Sequence, residues 1–129
     1  MIVLDASAAI EILSRGPAAG ALETWVFAPG ETLHAPHLID LEVAQVLGRF
    51  TIGGYMSAAH GGSALDVWRG FPLQRYSHDT LVARIWKLRD TMTAYDAAYV
   101  ALAEALDAPL ITTDAKFARA SGHRAQVQV

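Results

Sequence analysis

The chain has 129 residues, the length of one domain, and its 53% hydrophobic and 18% charged residues exclude an intrinsically disordered protein. It contains no cysteine, which excludes disulfide scaffolds, thiolate metal sites and cysteine nucleophiles. Its 10 Lys and Arg against 13 Asp and Glu give a net charge of −3, which argues against indiscriminate nucleic-acid binding unless several acids hold cations at one site. We expect a single cytoplasmic domain over residues 1–129, without a signal peptide or a membrane span.

The first half of the chain combines two short strands with four helical segments. Met1–Leu4 is a continuous apolar run, typical of a strand buried on both faces, and this strand stops at Asp5. Breakers at Gly16-Pro17, Pro29-Gly30 and Gly53-Gly54 separate several of the segments that follow. In chain order these segments are helix Ala6–Ser14, a helix from Pro17 or Ala18 to Phe27, strand Glu31–Ala35, and helices His37–Phe50 and Ser57–Arg69.

The second half of the chain adds three strands and three helices. The strand Phe71–Tyr76 has Pro72 near its start, which favours a position at the edge of a sheet. Thr93 is placed to cap the alanine-rich segment Ala94–Leu106, which contains no helix breaker. The other segments are helix Thr80–Asp90, buried strand Leu110–Thr113, a short helix that follows Asp114 and ends at Ala120, and edge strand Gln126–Val129.

Short strands that alternate with helices predict the α/β class, with a central, mostly parallel sheet of four to five strands flanked by helices. In such sheets, ligands bind beyond the carboxyl ends of the strands. Asp5 and Asp114 each follow directly on a buried strand. Because the carboxyl ends of parallel strands lie at the same edge, these two carboxylates can converge although they are far apart in the sequence.

Two further acids lie within apolar helical segments. Glu42 has apolar neighbours on most sides, and Asp96 lies near the start of the most apolar helix. Acidic side chains are seldom buried unless they are paired or bind a cation. Four carboxylates near one edge of the sheet indicate a shared cation site, in which at least one metal-free carboxyl would have a raised pKa.

Each acid also has a structural interpretation, which the sequence leaves open. Asp5 and Asp114 can serve as N-caps of the helices that follow them. Asp96 stands three residues after Thr93, which is the spacing of a capping box. Glu42 can simply face solvent. If Glu42 faces the site instead, we expect its neighbour Arg49 to lie near the site as well.

Other residue patterns give weaker indications of function. No phosphate-binding loop of the GxxxxGK[ST] or GxGxxG type occurs, and none of the five His forms an i, i+4 pair for zinc. Trp25, Trp68 and Trp86 occupy helical positions and are interpreted as core residues rather than as stacking platforms for bases. The acids are therefore the principal candidates for chemistry.

With these residues in view, the sequence resembles the PIN-domain ribonucleases, and in particular the VapC toxins of bacterial toxin–antitoxin pairs. The resemblance covers essentially the whole chain and implies a PIN-like three-layer fold. It rests on four sequence segments that occur in the order and at the separations typical of the family. They are Ile2–Ser7, His37–Ala44, Leu88–Ala103 and Pro109–Ala120.

The resemblance implies a Mg²⁺-dependent endoribonuclease, in which Mn²⁺ can substitute, that hydrolyses RNA phosphodiester bonds. The family's catalytic, metal-binding acids fall on Asp5, Glu42, Asp96 and Asp114, and its small hydroxyl residues near the metal fall on Ser7 and Thr112. Where some members carry a further acid, this chain has Tyr99 and Phe117. A second metal would therefore be held weakly, or only with help from RNA phosphate.

The resemblance also implies three partners: an RNA substrate, a VapB-type antitoxin, and a second copy of the chain in a homodimer. The family's antitoxin lays a C-terminal segment across the site and often places a basic residue among the acids. Apolar side chains of the two N-terminal helices could form part of its groove, namely Ile10, Ile12, Leu13, Leu22, Trp25 and Val26. Their alternative role is ordinary core packing.

Two other functions compete with this interpretation. A catalytically inactive PIN-like module would bind RNA or protein, and the loss of one of the four acids would favour it, but none is missing. A response-regulator receiver is also an α/β protein with clustered aspartates, but it needs an adjacent acidic pair after its first strand and a Lys at the end of its fifth. Here Asp5 stands alone and no predicted strand ends in Lys, which argues against a receiver.

Overall fold

The computed structural model spans residues 1–129 and contains five strands in one parallel sheet. Their spatial order is β3-β2-β1-β4-β5, so the strand that begins the chain lies at the centre, as its apolar sequence predicts. The five strands are β1 (Ile2–Leu4), β2 (Leu33–Pro36), β3 (Leu73–Tyr76), β4 (Leu110–Ile111) and β5 (Val127–Gln128).

Seven helices flank the sheet, and every predicted helix is present. They are α1 (Ala6–Leu13), α2 (Ala19–Val26), α3 (Ile39–Ile52), α4 (Ala58–Arg69), α5 (Val82–Lys87), α6 (Ala94–Leu106) and α7 (Lys116–Arg119). Helix α5 is shorter than predicted because its end tightens into bonds between residues three apart, such as that from the Arg89 N–H to the Trp86 carbonyl. None of the seven helices is both long enough and apolar enough to span a membrane.

The positions of β3 and β5 confirm the two edge predictions. Pro72 has no backbone N–H to donate to a neighbouring strand, and it stands directly before β3 at one edge of the sheet. Strand β5 occupies the opposite edge, where it pairs only with β4. The sheet therefore has β1 and β4, the two strands that precede aspartates, side by side in its interior.

Strand β1 and helix α6 form the middle of the core. All three residues of β1 are buried. Seven consecutive residues of α6, from Ala97 to Ala103, are also buried, and the helix packs against β1 and β2. A helix that is buried on all sides must be apolar all round, which is why this segment is the most apolar helix in the sequence.

Only one of the three tryptophans predicted in the core lies there. Trp68 is 1% exposed, whereas Trp25 is 41% and Trp86 is 66% exposed. Trp86 instead lies under the guanidinium group of Arg89, which is 4.5 Å from the centre of its ring. The prediction is wrong for Trp25 and Trp86 because helical spacing alone does not identify which face of a short helix meets the core.

Candidate active site

The four predicted acids line one cavity of about 400 Å³. Asp5 directly follows β1 as predicted, whereas β4 ends at Ile111 rather than at the predicted Thr113, so Asp114 comes three residues after the strand. Glu42 lies in the first turn of α3 and Asp96 in the first turn of α6. Four segments that are distant in the sequence therefore supply one carboxylate each to the same cavity. Arg49 lines it too, as expected if Glu42 faces the site.

Asp5 is the most deeply buried of the four acids, and two hydroxyl groups hold one of its oxygens. Its Oδ2 accepts hydrogen bonds from Ser7 Oγ at 2.6 Å and from Thr112 Oγ1 at 2.8 Å. Burial raises the pKa of Asp5, although the hydrogen bonds from Ser7 and Thr112 oppose this effect. Asp5 occupies the N-cap position of α1, but its side chain makes no capping bond. Capping therefore does not account for its carboxylate.

The same two hydroxyl groups connect Asp5 to the loop after β4. Ser7 Oγ accepts a hydrogen bond from the Thr113 N–H at 3.0 Å, and Thr112 Oγ1 accepts one from the Asp114 N–H at 2.9 Å. Each hydroxyl has one hydrogen, and both hydrogens are directed at Asp5, so each oxygen is left to accept the backbone bond. The orientation of Asp5 and the position of Asp114 are thus fixed by one network.

Glu42 is held by Tyr99, a residue whose role could not be inferred from the sequence. The phenol of Tyr99 is buried in α6 and donates a hydrogen bond to Glu42 Oε1 at 2.5 Å. Burial raises the pKa of Glu42, the Tyr99 bond opposes the rise, and the charges of Asp5 and Asp96 add to it. Burial and the neighbouring Glu42 also raise the pKa of Tyr99, which keeps the phenol protonated and able to donate.

The second residue that sequence reasoning missed is Lys116. Its Nζ lies 3.1 Å from Asp96 Oδ2 and 3.2 Å from Asp114 Oδ2. Its backbone N–H donates to Asp114 Oδ1 at 3.0 Å. Burial alone would raise the pKa of Asp114, but these contacts from Lys116 outweigh it, and the pKa is lowered. The expectation that at least one carboxyl has a raised pKa is therefore met by Asp5 and Glu42, while the contacts from Lys116 lower the pKa of Asp114.

The capping interpretation of Asp96 is half correct. Thr93 Oγ1 accepts a hydrogen bond from the Asp96 N–H at 3.2 Å and so caps α6. The carboxylate of Asp96 is directed to Lys116 and leaves the capping to Thr93. Asp114 likewise accepts a local bond from Lys116, while it also lines the cavity.

The donor set of the cavity suits a hard divalent cation. As the side chains stand, no three carboxylate or imidazole groups come close enough together to enclose a metal ion. All four acids nevertheless offer oxygen ligands, which Mg²⁺ and Mn²⁺ prefer, from around one cavity. Asp5 and Glu42 form no ion pair, and burial, the main cause of their raised pKa values, makes their negative charge costly. A cation would relieve this cost, so the residues fit one.

A parallel α/β sheet with carboxylates beyond its central strands places the chain in a broad class of ligand-binding and catalytic proteins. A family model described as the PIN domain matches residues 2–122. The chain therefore belongs to the PIN-domain family, as its sequence motifs imply, and its relatives within that family are VapC ribonucleases.

Two of these relatives are proteins of Mycobacterium tuberculosis. Ribonuclease VapC9 is 45% identical over 114 residues, which cover 88% of this chain and 86% of the relative. Ribonuclease VapC12 is 38% identical over 129 residues, which cover 100% of this chain and 98% of the relative. The match to VapC12 covers the whole chain, so it includes all four segments that carry the acids.

Solved structures confirm the fold. VapBC2 from Rickettsia felis, bound to a DNA fragment from its promoter, matches with a TM-score of 0.74 at 16% identity and covers 99% of this chain and 98% of that one. Mycobacterium tuberculosis VapC20, described as a sarcin–ricin loop cleaving toxin, matches with a TM-score of 0.70 at 12% identity, covering 92% and 94% of the two chains. At these identities the likeness establishes the fold alone, and it agrees with the PIN-like architecture that was expected.

Proposed function

We propose that this chain is a metal-dependent endoribonuclease toxin that hydrolyses RNA phosphodiester bonds in the acid-lined cavity. The observation that carries the proposal is the convergence of Asp5, Glu42, Asp96 and Asp114 from four separate segments on one cavity. Its relatives are named ribonucleases, which supports RNA as the substrate. The catalytically inactive alternative would leave this costly concentration of negative charge without a purpose.

Mg²⁺ is the proposed cofactor, with Mn²⁺ able to replace it, and Asp5 and Glu42 are the acids best placed to hold it. When bound, such a cation supplies an activated water and stabilises charge on the departing oxygen. Ser7 and Thr112 act on Asp5, since their hydroxyl groups fix the direction of its carboxylate. Tyr99 does the same for Glu42 by bonding Oε1, which leaves the other oxygen for the cation.

The second acid pair has a different task in this proposal. Asp96 and Asp114 share the ammonium group of Lys116, so they need no further cation to balance part of their charge. A carboxylate of this pair is suited to orient the attacking water. It can accept a hydrogen bond from the water while Lys116 holds it in place. RNA would enter as a single strand or loop, where the backbone can reach a recessed site.

Cleavage of a panel of end-labelled RNAs tests the proposed activity. We expect the purified chain to cut at least one single-stranded or loop RNA with Mg²⁺ or Mn²⁺, and EDTA to abolish the reaction. The matched control is Glu42→Gln, which keeps an oxygen to accept the Tyr99 bond but loses the charge. We expect it to lose cleavage by at least about 100-fold, as for residues that bind or orient a metal.

Two results of that experiment would contradict the proposal. Cleavage that survives EDTA, or that persists in Glu42→Gln, would identify a contaminating nuclease. Absence of cleavage across the panel, combined with metal binding in calorimetry, would favour the inactive PIN-like module.

We also propose that a VapB-type antitoxin inhibits this chain, which the solved VapBC2 complex of Rickettsia felis supports. An apolar groove of about 470 Å³ lies between α1, α2 and α4 and offers a surface for an antitoxin segment. Ile12 and Leu13 line it, as expected for the N-terminal helices, together with Val67 of α4. Ile12 and Leu13 are themselves only 6% and 8% exposed and so belong to the core as well, and Leu22 and Val26 are buried in the core without lining the groove. The homodimer that the resemblance implies also stays a prediction, which light scattering would check.

A single charge in the groove tests this partner. Val67 is 59% exposed, so Val67→Glu should fold normally and weaken inhibition by a VapB-type antitoxin by about 10-fold or more, because an apolar segment would have to cover the new carboxylate. The matched control is Val82→Glu at a position on α5 that is 56% exposed and outside the groove. RNA cleavage should be unchanged in both variants. Equal inhibition of the two variants would indicate that the antitoxin binds outside this groove.

A further inference from the structure

Lys116 occupies a position among the acids that a divalent cation could otherwise take. Its ammonium group bridges Asp96 and Asp114, with Nζ–Oδ2 distances of 3.1 and 3.2 Å. The ring of Phe117 lies on another side, with its centre 5.7 Å from Nζ, within the range of a cation–π contact. Two carboxylates and an aromatic ring therefore lie close to a single positive charge.

The backbone at Lys116 is tied to the hydrogen-bond network of the site. The Lys116 N–H bonds Asp114 Oδ1, and the Asp114 N–H in turn bonds the hydroxyl of Thr112, which is buried beside Asp5. The loop from β4 to α7 is thus anchored to the same network that orients Asp5. The backbone from which the Lys116 side chain extends therefore has a defined position beside the acids, and the two carboxylates bind the ammonium group itself.

The charges around the cavity are neutralised unevenly. Asp5 and Glu42 have no cationic partner within hydrogen-bond distance, whereas Asp96 and Asp114 already share one. A divalent cation placed between Asp96 and Asp114 would have to displace the ammonium group or remain beside a like charge. One divalent cation is therefore favoured at the first pair and disfavoured at the second.

We propose, on the basis of the nuclease function proposed above, that Lys116 takes the place of a second divalent cation. A single divalent cation binds at Asp5 and Glu42, and the Lys116 ammonium group, held by Asp96 and Asp114, contacts the RNA phosphate. In the reaction, the oxygen of water forms a bond to phosphorus while the bond from phosphorus to the 3′ oxygen breaks. The 3′ oxygen takes up a proton from solvent as it leaves, and the attacking water loses one to a carboxylate. Lys116 stabilises the negative charge that develops on the phosphoryl and leaving oxygens.

Titration of the RNA-free chain with Mn²⁺, followed by calorimetry, counts the cations directly. We expect the wild type to bind one Mn²⁺ and Lys116→Met to bind two, because removal of the ammonium group frees Asp96 and Asp114. Lys116→Arg keeps the charge and should bind one. Lys87→Met, which alters the only other lysine in the chain and lies outside the cavity, should also bind one.

The dependence of cleavage on Mn²⁺ concentration gives a second measurement. We expect Lys116→Met to cleave about 100-fold more slowly than wild type at low Mn²⁺, a loss typical of one electrostatic group in an active site, and to recover partly at high Mn²⁺. Lys116 is half-exposed, so its replacement should not unfold the chain, and Lys116→Gln provides a second neutral variant.

The outcomes separate this inference from the proposed function. A wild type that binds two Mn²⁺ and cleaves RNA would overturn the role of Lys116 and leave the metal-dependent nuclease intact. One Mn²⁺ in both the wild type and the neutral variants would overturn the inference in the same way. A wild type that binds no Mn²⁺ would overturn both.

Discussion

Asp5→Asn should abolish RNA cleavage while the metal-free protein remains at least as stable as the wild type. Asn keeps an oxygen that can accept the hydroxyl hydrogens of Ser7 and Thr112, so the network that bonds Asp5 Oδ2 can persist. What it loses is the negative charge that holds the cation, and we expect cleavage to fall by at least about 100-fold. Rates measured at saturating Mg²⁺ and thermal unfolding in EDTA check the two halves of this prediction.

The pH dependence of stability should differ between the two proteins in a defined direction. Because burial raises the pKa of Asp5 above 3.8, the folded state binds its proton more tightly than the unfolded state. The contribution of protonated Asp5 to the stability of the folded state is therefore complete below about pH 3.8, and it is lost as the pH rises through the pKa of Asp5 in the folded state. In EDTA, the unfolding temperature of Asp5→Asn should therefore increase relative to that of the wild type as the pH rises from about 4 to neutral.

Mg²⁺ should reverse this order. A ligand that binds only the folded state at 100 times its dissociation constant adds about 2.7 kcal/mol of stability. The wild type should gain this stabilisation, and Asp5→Asn should gain much less. If Asp5→Asn instead unfolds several degrees below the wild type in EDTA at neutral pH, Asp5 serves the fold of α1, and its assignment as a metal ligand loses support.

The backbone positions of the site could be predicted from the sequence because they depend on local patterns. A buried strand that ends at Asp5 and another that ends before Asp114 bring both to one edge of a parallel sheet, whatever lies between them. The breaker-free apolar run after Thr93 similarly fixes α6 and places Asp96 in its first turn. In each case a few neighbouring residues contain the necessary information.

The contacts made by side chains between elements could not be predicted in this way. Tyr99 lies three residues after Asp96, so the sequence shows that it is about one turn further along α6, but its bond to Glu42 depends on how the fold places α6 relative to α3. Lys116 follows Asp114 by two residues, yet its contact with Asp96 joins α7 to α6. Long flexible side chains can reach several partners, and only the packing selects one.

The tryptophans show the same difficulty for hydrophobic side chains, and they lead to the largest expected change in stability. Trp68 is enclosed by the core, and its indole N–H donates to Asp40 Oδ1 at 2.9 Å. Arg75 bonds both oxygens of Asp40 at 2.7 and 2.9 Å, with its guanidinium carbon 5.9 Å from the centre of the indole ring. Trp68 therefore packs the core and covers an ion pair at the start of α3.

Trp68→Ala should lower the free energy of unfolding by about 3–5 kcal/mol, because it leaves a large cavity and removes a hydrogen bond to a carboxylate. The unfolding temperature should fall on the order of 10 °C. The matched control is Trp86→Ala, which loses only an exposed contact with Arg89, and we expect a change of about 1 kcal/mol or less. Urea unfolding of both variants measures the difference.

Trp68→Phe extends this comparison if the alanine variant does not fold. Phe retains an aromatic ring in the core but cannot donate to Asp40, so its loss of stability should lie between those of the two alanine variants. Similar losses for Trp68→Ala and Trp86→Ala would contradict the packing of α4 against the core. Because Asp40 is in the same first turn of α3 as Glu42, Trp68→Phe should also reduce cleavage, whereas Trp86→Ala should leave it unchanged.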